Sequence, residues 1–264
     1  MIYVFDGTFD GFLTAVFQSA QSKEPLDSVT DAFGQSTFLA VTQVITDVFQ
    51  AGRVRQFIDT HLGADMMETV RYAFLAANPD RFTYTARTLH LARRHGARVV
   101  DVMDDAVLGF RDCYREAMRE THRFTGLTRF SELVDGTLYA VIAPKHNVLP
   151  PVLAHFAQRY PRERLAVYDE NRHLLGMLDA GCVTLHKVTM ENPVPTQDEQ
   201  AYRQLWRAFF QSVTISERLN PHLQRQHMPK YTWRNLVEMQ QTPAEKSPET
   251  QAFALQESPG RGII

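Results

Sequence analysis

The alternation of hydrophobic and polar positions predicts a strand followed by a helix at the start of the chain. Ile2 to Phe5 is a short apolar run that ends at Asp6-Gly7, a pair typical of a turn. The next apolar residues have helical spacing: Phe9, Phe12, Leu13, Val16, Phe17 and Ala20. We expect Asp6 or Thr8 to cap this helix, because a short side-chain oxygen accepts hydrogen bonds from the free N–H groups of the first turn.

The rest of the N-terminal half is predicted to be mostly helical. Residues 24–36 have the composition of a loop, and the apolar, β-branched run 38–45 predicts a second strand. Asp47 is placed to cap the next helix, and Asn78-Pro79-Asp80 is expected to separate two later helices. A long helix with one apolar face is expected after Asp101.

The pattern changes near Gly126, where short strands become more frequent. A β-hairpin is predicted over residues 127–142, with its turn at Asp135-Gly136. A helix is expected from Pro150 to Tyr160, and strands are expected at 165–168, 174–178 and 183–188. We therefore predict an α+β fold. It has a mostly helical N-terminal half with an N-terminal strand, then a mixed β-hairpin and helix region, and C-terminal helices around an antiparallel or mixed sheet.

A C-terminal helix is predicted behind a capping box formed by Thr196 and Glu199. Its apolar residues form one stripe: Tyr202, Leu205, Trp206, Phe209, Phe210 and Val213. We expect this stripe to be buried in the core. On that expectation, Trp206→Ala should cost about 3–5 kcal/mol of stability.

The predicted domain organisation is one globular unit over residues 1–238. Residues 123–126 are the candidate for an internal boundary, because the pattern changes there. Residues 239–264 are rich in Gln, Pro, Ser and Glu, so we expect a disordered tail.

Composition is that of a globular protein, with 44% hydrophobic and 22% charged residues among 264. The two cysteines, Cys113 and Cys182, suit a reducing cytoplasm, and the N-terminus does not resemble a signal peptide. No apolar run approaches the ~18–20 residues of a membrane span. We therefore expect a cytoplasmic protein without a membrane contact.

Common catalytic and cofactor motifs are not found in the sequence. It lacks the glycine-rich nucleotide loops, the zinc motif H-E-x-x-H and the hydrolase motif G-x-S-x-G. His90 and His95 are five residues apart, which is poor spacing for one metal ion on a helix. Asp101, Asp104 and Asp105 are better explained by a helix N-terminus than by Mg²⁺. We expect no cofactor and no metal ion.

Two segments carry residues suited to nucleic acid. In residues 122–130, arginines alternate with aromatic residues, although the phenylalanines would also suit a helix-to-strand corner in the core. Residues 202–235 hold six Lys or Arg and one acid, a local charge of +5 against −2 for the chain. A solvated basic face is the alternative interpretation. The candidate contacts are Arg123, Arg129, Arg218, Arg225, His227, Lys230, Trp233 and Arg234.

These segments and several others resemble one protein family. The matching blocks are Asp6 to Gly11, His122 to Phe130, Ile142 to Asn147, His155 to Pro161, Asp169, Glu217 to Pro221 and Gln224 to Pro229. In this order they resemble the bacterial "probable DNA metabolism protein" family, which is built on a domain of unknown function. The resemblance covers residues 1 to about 238.

The resemblance implies a role in DNA repair or modification. Such proteins resemble partners of a radical-SAM protein, and some relatives are joined to a uracil-DNA glycosylase-like domain. The chain lacks the C-x-x-x-C-x-x-C cysteines of a radical-SAM cluster. The leading hypothesis is therefore a DNA-binding accessory protein that partners the radical-SAM protein.

Two alternatives remain open at this point. An enzyme acting on nucleic acid or a nucleotide, hydrolase or glycosylase-like, would use a polar set drawn from Asp6, His122, Arg129, His146 and Asp169. A protein–protein adaptor would use the basic segment to meet an acidic partner. Enzymatic activity stays open, and a non-catalytic role is favoured.

Overall fold

The computed structural model of the chain describes residues 1–32, 39–188 and 196–240. The chain divides into two compact units. The first unit comprises Met1–Thr125 and Pro144–Phe156, and the second comprises Gly126–Ala143 and the described residues from Ala157 on. No helix within these described ranges is both long and apolar enough to cross a membrane.

A small parallel sheet lies in the first unit. β1 (Ile2–Val4) is its central strand, between β2 (Ser28–Thr30) and β3 (Val41–Gln43). Parallel neighbours need a crossover connection, and the chain makes the first one through α1 (Phe9–Gln21). The predicted strand and helix at the start of the chain are confirmed.

Further helices complete the first unit. They are α2 (Val48–His61), α3 (Ala64–Leu75), α4 (Arg81–His95) and α5 (Asp105–Leu127), whose last two residues belong to the second unit. The hydroxyl of Thr8 caps α1 by accepting a hydrogen bond from the Gly11 N–H at 2.9 Å. The Asp47 carboxylate caps α2 by accepting from two backbone N–H groups. The predicted break between α3 and α4 is also confirmed.

Aromatic packing holds the core of the first unit. The Phe82 ring lies 4.9 Å from Phe5, 5.2 Å from Phe74 and 5.6 Å from Phe12, centroid to centroid. Pairs of this kind contribute about 0.5–1.5 kcal/mol each beyond the burial of their surface. One cluster therefore ties the N-terminal strand region to α1, α3 and α4.

A mixed five-stranded sheet forms the second unit. Its strands, in spatial order, are β4 (Ser131–Glu132), β5 (Leu138–Ile142), β6 (Leu165–Asp169), β7 (Leu174–Asp179) and β8 (Cys182–Lys187). β5 and β6 are parallel and are connected through α6 (Leu149–Arg159), whereas the other pairs are antiparallel. After the sheet come α7 (Gln197–Val213), α8 (Pro221–His227) and two 3₁₀ helices, Lys230–Asn235 and Val237–Met239.

The predicted α+β class with a mixed sheet is confirmed, and three local predictions need correction. β2 lies inside the segment 24–36, which was predicted to be a loop. The strand was not predicted because its single apolar residue, Val29, gives no recognisable strand pattern. The strand predicted over 38–45 is limited to β3, and residue 38 lies outside the described residues. β4 has only two residues, because α5 continues to Leu127.

The apolar stripe of α7 was predicted to be buried, and this prediction is wrong. Leu205 is 66% exposed, Phe209 is 56% exposed and Trp206 is 40% exposed. Helical spacing identifies an apolar face but does not show whether the same chain supplies a surface to cover it. Trp206 is held instead by a tilted contact with Phe209 and a hydrogen bond to Glu238.

The exposure of Trp206 changes its expected contribution to stability. Trp206→Ala should lower the free energy of unfolding by about 1 kcal/mol, as is common for point variants outside the core. Phe110→Ala is the matched control, because Phe110 is fully buried and should cost about 3–5 kcal/mol. Urea titration of both variants checks this. An equal loss in the two variants would show that the α7 face is covered in solution.

Candidate nucleic-acid interface

The basic C-terminal segment folds as α8 and the elements beside it. Asn220 caps α8 by accepting a hydrogen bond from the Leu223 N–H at 3.0 Å, and Pro221 occupies the first turn. The sequence favours this arrangement, because asparagine is a preferred N-cap residue. Proline is tolerated in the first turn because it has no N–H group that would need an acceptor. The 3₁₀ helix Lys230–Asn235 follows after a short bend.

Part of the basic segment is exposed and cationic. Arg218, Arg225 and Lys230 are exposed, and no carboxylate of the described residues lies within 4.0 Å of them. The Arg225 Nε donates to the Pro221 carbonyl oxygen at 2.9 Å, which orients the guanidinium. His227 is exposed at the end of α8. These side chains present donors and positive charge to solvent.

Arg129, another predicted contact, is engaged by a buried acid of the second unit. Its guanidinium donates to Glu238 at 2.7 Å and 3.4 Å and lies 5.6 Å from the centre of the Trp206 ring. The Glu238 side chain is 1% exposed and also accepts a hydrogen bond from the Trp206 Nε1 at 3.0 Å. Burial raises the pKa of Glu238, but the hydrogen bonds from Arg129, the backbone and Trp206 outweigh it, so the pKa is below its usual value.

Two further arginines of the second unit are paired in the same way. Arg203 donates to Glu199 at 3.0 Å and to the Ser131 hydroxyl at 2.7 Å. Arg234, a predicted contact, pairs with Glu170 at 2.7 Å. Trp233 is half-buried and donates its Nε1 hydrogen to the Met228 carbonyl, so it anchors the 3₁₀ helix. The basic segment thus contains both exposed cations and structural ion pairs.

The Thr196 and Glu199 capping box is only partly as predicted. The Thr196 hydroxyl accepts a hydrogen bond from the Glu199 N–H at 3.3 Å. The Glu199 carboxylate does not complete a simple box, since it accepts from Arg203 and from the Glu132 N–H. A charged donor four residues along the helix competes successfully with the backbone for this acid.

The three paired arginines line one cavity of the second unit. Its volume is about 440 Å³, and its other polar walls include Ser131, Tyr139, Glu170 and Asn235. Of these lining residues, only Arg129 and Arg234 are among the predicted nucleic-acid contacts. Tyr139 lies in an ordinary strand pattern, so the sequence carries no signal for its place here.

The remaining predicted contact, Arg123, belongs to the first unit. It is half-buried on α5, next to the exposed His122. Gly126 and Arg129 belong to the second unit, so the predicted segment 122–130 spans the boundary between the two units. The Phe124 side chain is buried, as expected if the phenylalanines of residues 122–130 pack into the core.

Asp6 was a candidate catalytic acid and is bound by threonines. Its carboxylate accepts hydrogen bonds from the Thr8 hydroxyl at 2.6 Å and the Thr46 hydroxyl at 2.8 Å. The bond from Thr8 is the main reason that the pKa of Asp6 is lowered. An added Cβ on Gly11 would lie 2.2 Å from this carboxylate, so the loop needs glycine there. Asp6 therefore has a clear structural role in the first loop.

His146 and Asp169, two further candidates, are buried and bonded to neighbours in their own units. The His146 Nδ1 accepts from the Ala77 N–H at 2.9 Å, and the Glu120 carboxylate accepts from the His146 N–H at 2.6 Å. Asp169 is fully buried and pairs with Arg172 at 3.0 Å. Burial raises the pKa of Asp169 despite this arginine.

A metal-binding cluster within the described residues and a reactive thiol at Cys113 find no support. Residues 1–32, 39–188 and 196–240 contain no group of three His, Cys, Asp or Glu side chains that would hold a metal ion. Burial raises the pKa of the Cys113 thiol to about 11, which suits a structural residue. The Asp104 carboxylate accepts from the Ala106 N–H at the start of α5.

Comparison with known proteins gives a family without an assigned function. The model of DUF4130, described as a domain of unknown function, matches residues 79–238. The chain belongs to this family. No curated protein and no solved structure gave a significant match. The matched range includes α8, the exposed cations and the Arg129–Glu238 pair, whereas Asp6 lies outside it.

The pairing of Arg129 with Glu238 predicts a large effect on stability. Arg129→Met should cost about 3 kcal/mol, because it leaves a buried carboxylate without its cation. Arg225→Met is the matched control and should change stability by less than about 0.5 kcal/mol. Chemical denaturation at pH 7 compares the two variants.

The same pair sets the sign of a pH dependence. Because the folded-state pKa of Glu238 is lowered, its contribution is complete above its ordinary pKa of 4.5 and is lost as pH falls through the folded-state pKa. The penalty of Arg129→Met should therefore shrink in acid. If Arg129→Met causes no loss of stability at pH 7, or a loss that does not change with pH, then the ion pair between Arg129 and Glu238 does not stabilise the fold.

Proposed function

We propose that the protein is a DNA-binding accessory protein of a DNA repair or modification system. The observation that carries this proposal is the set of exposed cations in the second unit, Arg218, Arg225 and Lys230, with no carboxylate of the described residues nearby. A protein whose net charge is −2 needs a local cationic surface to contact phosphates.

The division among the arginines supports this choice of residues. Arg129, Arg203 and Arg234 are paired with glutamates, so their charges are largely compensated within the second unit. Arg218, Arg225 and Lys230 are the stronger candidates for phosphate contacts, with His227 beside them on α8. Guanidinium groups suit phosphate oxygens because their N–H groups form a fork of matching geometry.

An accessory role agrees best with the state of three candidate catalytic residues. Asp6, His146 and Asp169 each have structural hydrogen bonds within their own unit, as described above. We therefore place catalysis on a partner, which by family resemblance is a radical-SAM protein of DNA repair or modification in the cytoplasm. The present chain would hold DNA for that partner.

A protein–protein adaptor is the second candidate function, and one observation favours it. The apolar residues of α7 are exposed, and a continuous apolar helix face is typical of a surface that meets another protein. The two functions are compatible if α7 contacts the partner while α8 contacts DNA. Co-purification with the partner after Leu205→Glu tests the adaptor role separately from DNA binding.

The test of DNA binding uses the double variant Arg225→Ala with Lys230→Ala. The slope of log affinity against log salt should flatten by about one or two units, because each lost phosphate contact removes roughly 0.7–0.9. Affinity should fall for all sequences alike. Arg94→Ala with Arg98→Ala is the matched control, because both residues are exposed cations of the first unit, and it should keep the wild-type slope.

Thermal melting of the same samples separates binding from folding. The Arg225 and Lys230 double variant should melt like the wild type, because exposed charges usually contribute under about 1 kcal/mol. A large loss of melting temperature would show that these residues pair with acids of their own chain. A folded wild type without salt-sensitive DNA binding, alone or with its partner, would refute the proposed function.

A further inference from the structure

The arginine-lined cavity of the second unit combines polar donors with apolar walls. Its volume of about 440 Å³ lies within the usual range for small-molecule sites, roughly 300–1,000 Å³. Leu133, Val141 and Val237 supply apolar surface. Arg203, Arg234 and Asn235 supply polar groups. Such a lining suits a flat ligand that has hydrogen-bond acceptors at its edge.

The charges around the cavity are balanced. Each of the three lining arginines is paired with one glutamate: Arg129 with Glu238, Arg203 with Glu199 and Arg234 with Glu170. An isolated phosphate would therefore meet little net positive charge. A neutral ligand with acceptor atoms is favoured over an anion.

The paired arginines still have donors to offer. A guanidinium carries five N–H groups. Arg203 uses its Nε and Nη2 in bonds to Glu199 and Ser131, and Arg234 uses its Nη2 for Glu170. The glutamates therefore fix the guanidinium planes without using all of their N–H groups. Fixed donors of this kind select a ligand by geometry.

Tyr139 contributes to the wall of this cavity, but its hydroxyl is closed to solvent. Tyr139 is only 7% exposed, and its hydroxyl has no hydrogen-bond partner among the described residues. Burial raises the pKa of Tyr139 to about 12, so the hydroxyl keeps its proton at neutral pH.

One 3₁₀ helix links this cavity to the exposed cations. Lys230 begins the helix and is exposed, whereas Arg234 and Asn235 at its other end line the cavity. Four residues of a 3₁₀ helix rise about 8 Å. A strand whose phosphate contacts Lys230 would therefore bring its bases close to the cavity mouth.

We infer that the cavity holds one unpaired guanine base of a bound nucleic-acid strand. Guanine is uncharged, and its O6 and N7 are adjacent acceptors that fit arginine N–H groups. The apolar walls would cover its rings, and unpaired bases are the ones that a protein pocket can reach. This inference rests on the proposed function, because the strand is held by the cations of α8 and Lys230.

The test compares two single-stranded oligonucleotides of equal length, one of thymidines only and one with a single central guanine. The wild type should prefer the second by about tenfold, as expected for one good bidentate contact. Arg234→Gln should reduce this preference severalfold, whereas Tyr139→Phe should keep it, because the Tyr139 hydroxyl is closed to solvent. Lys230→Gln is the matched control. It should weaken the binding of both oligonucleotides by the same factor, so the preference for the guanine-containing oligonucleotide should remain.

The folding of the variants is checked by thermal melting. Tyr139→Phe should melt no lower than the wild type, because it removes a hydroxyl without a partner. Free guanosine should compete with the guanine-containing oligonucleotide in wild type, and inorganic phosphate at the same concentration should compete much less.

The outcomes separate the two claims. If the wild type binds both oligonucleotides equally, the inference of a guanine site is wrong while the proposed function stands. Competition by phosphate but not by guanosine would also overturn it, in favour of an anion site. If the wild type binds neither oligonucleotide nor duplex DNA, the proposed function fails and this inference fails with it.

Discussion

The buried carboxylate of Glu238 is the constraint on which the second unit depends. Removal of a charge from water is costly unless an opposite charge and hydrogen bonds replace the lost hydration. Arg129 supplies the charge and Trp206 supplies a further N–H donor. This joins the last described turn of the chain to α7 and to the segment after α5. It also positions Arg129 and Val237 as walls of the cavity.

Ion pairing with glutamates separates five arginines of the second unit into two groups. Arg129, Arg203 and Arg234 form ion pairs with glutamates. These arginines shape the cavity and provide hydrogen-bond donors in fixed positions. Arg218 and Arg225 remain exposed on and beside α8. A local charge of +5 in the sequence therefore overstates the charge that meets solvent. The cations that remain lie close together in the chain, which suits contact with successive phosphates.

The sequence predicted the parts of the fold that have strong local patterns. The first strand and α1, the Asp47 cap and the break at Asn78-Pro79-Asp80 follow from side-chain chemistry near each position. β2 was missed because Ser28 to Thr30 offers one apolar residue, and its strand state depends on pairing with β1. The same limit applies to α7, whose apolar face indicated a buried helix although its residues are exposed.

The candidate site shows the same division between local and long-range information. The local excess of Lys and Arg predicted the basic segment, which includes the exposed residues Arg225 and Lys230. It did not identify the acids that pair with Arg129 and Arg234, because Glu238 and Glu170 are partners through the fold and not through spacing. The place of Tyr139 in the cavity wall likewise depends on packing between β5 and the 3₁₀ helix Lys230–Asn235.

Photochemical cross-linking of the full-length protein to single-stranded DNA, followed by peptide mapping, tests directly whether the exposed cations contact DNA. We expect the cross-linked peptides to contain residues 218–235, with α8 and Tyr231 at the centre of the labelled region. Labelling should fall as salt rises, because phosphate contacts carry the binding. Cross-links confined to residues 1–125, with none in the second unit, would show that the exposed cations of the second unit do not bind DNA.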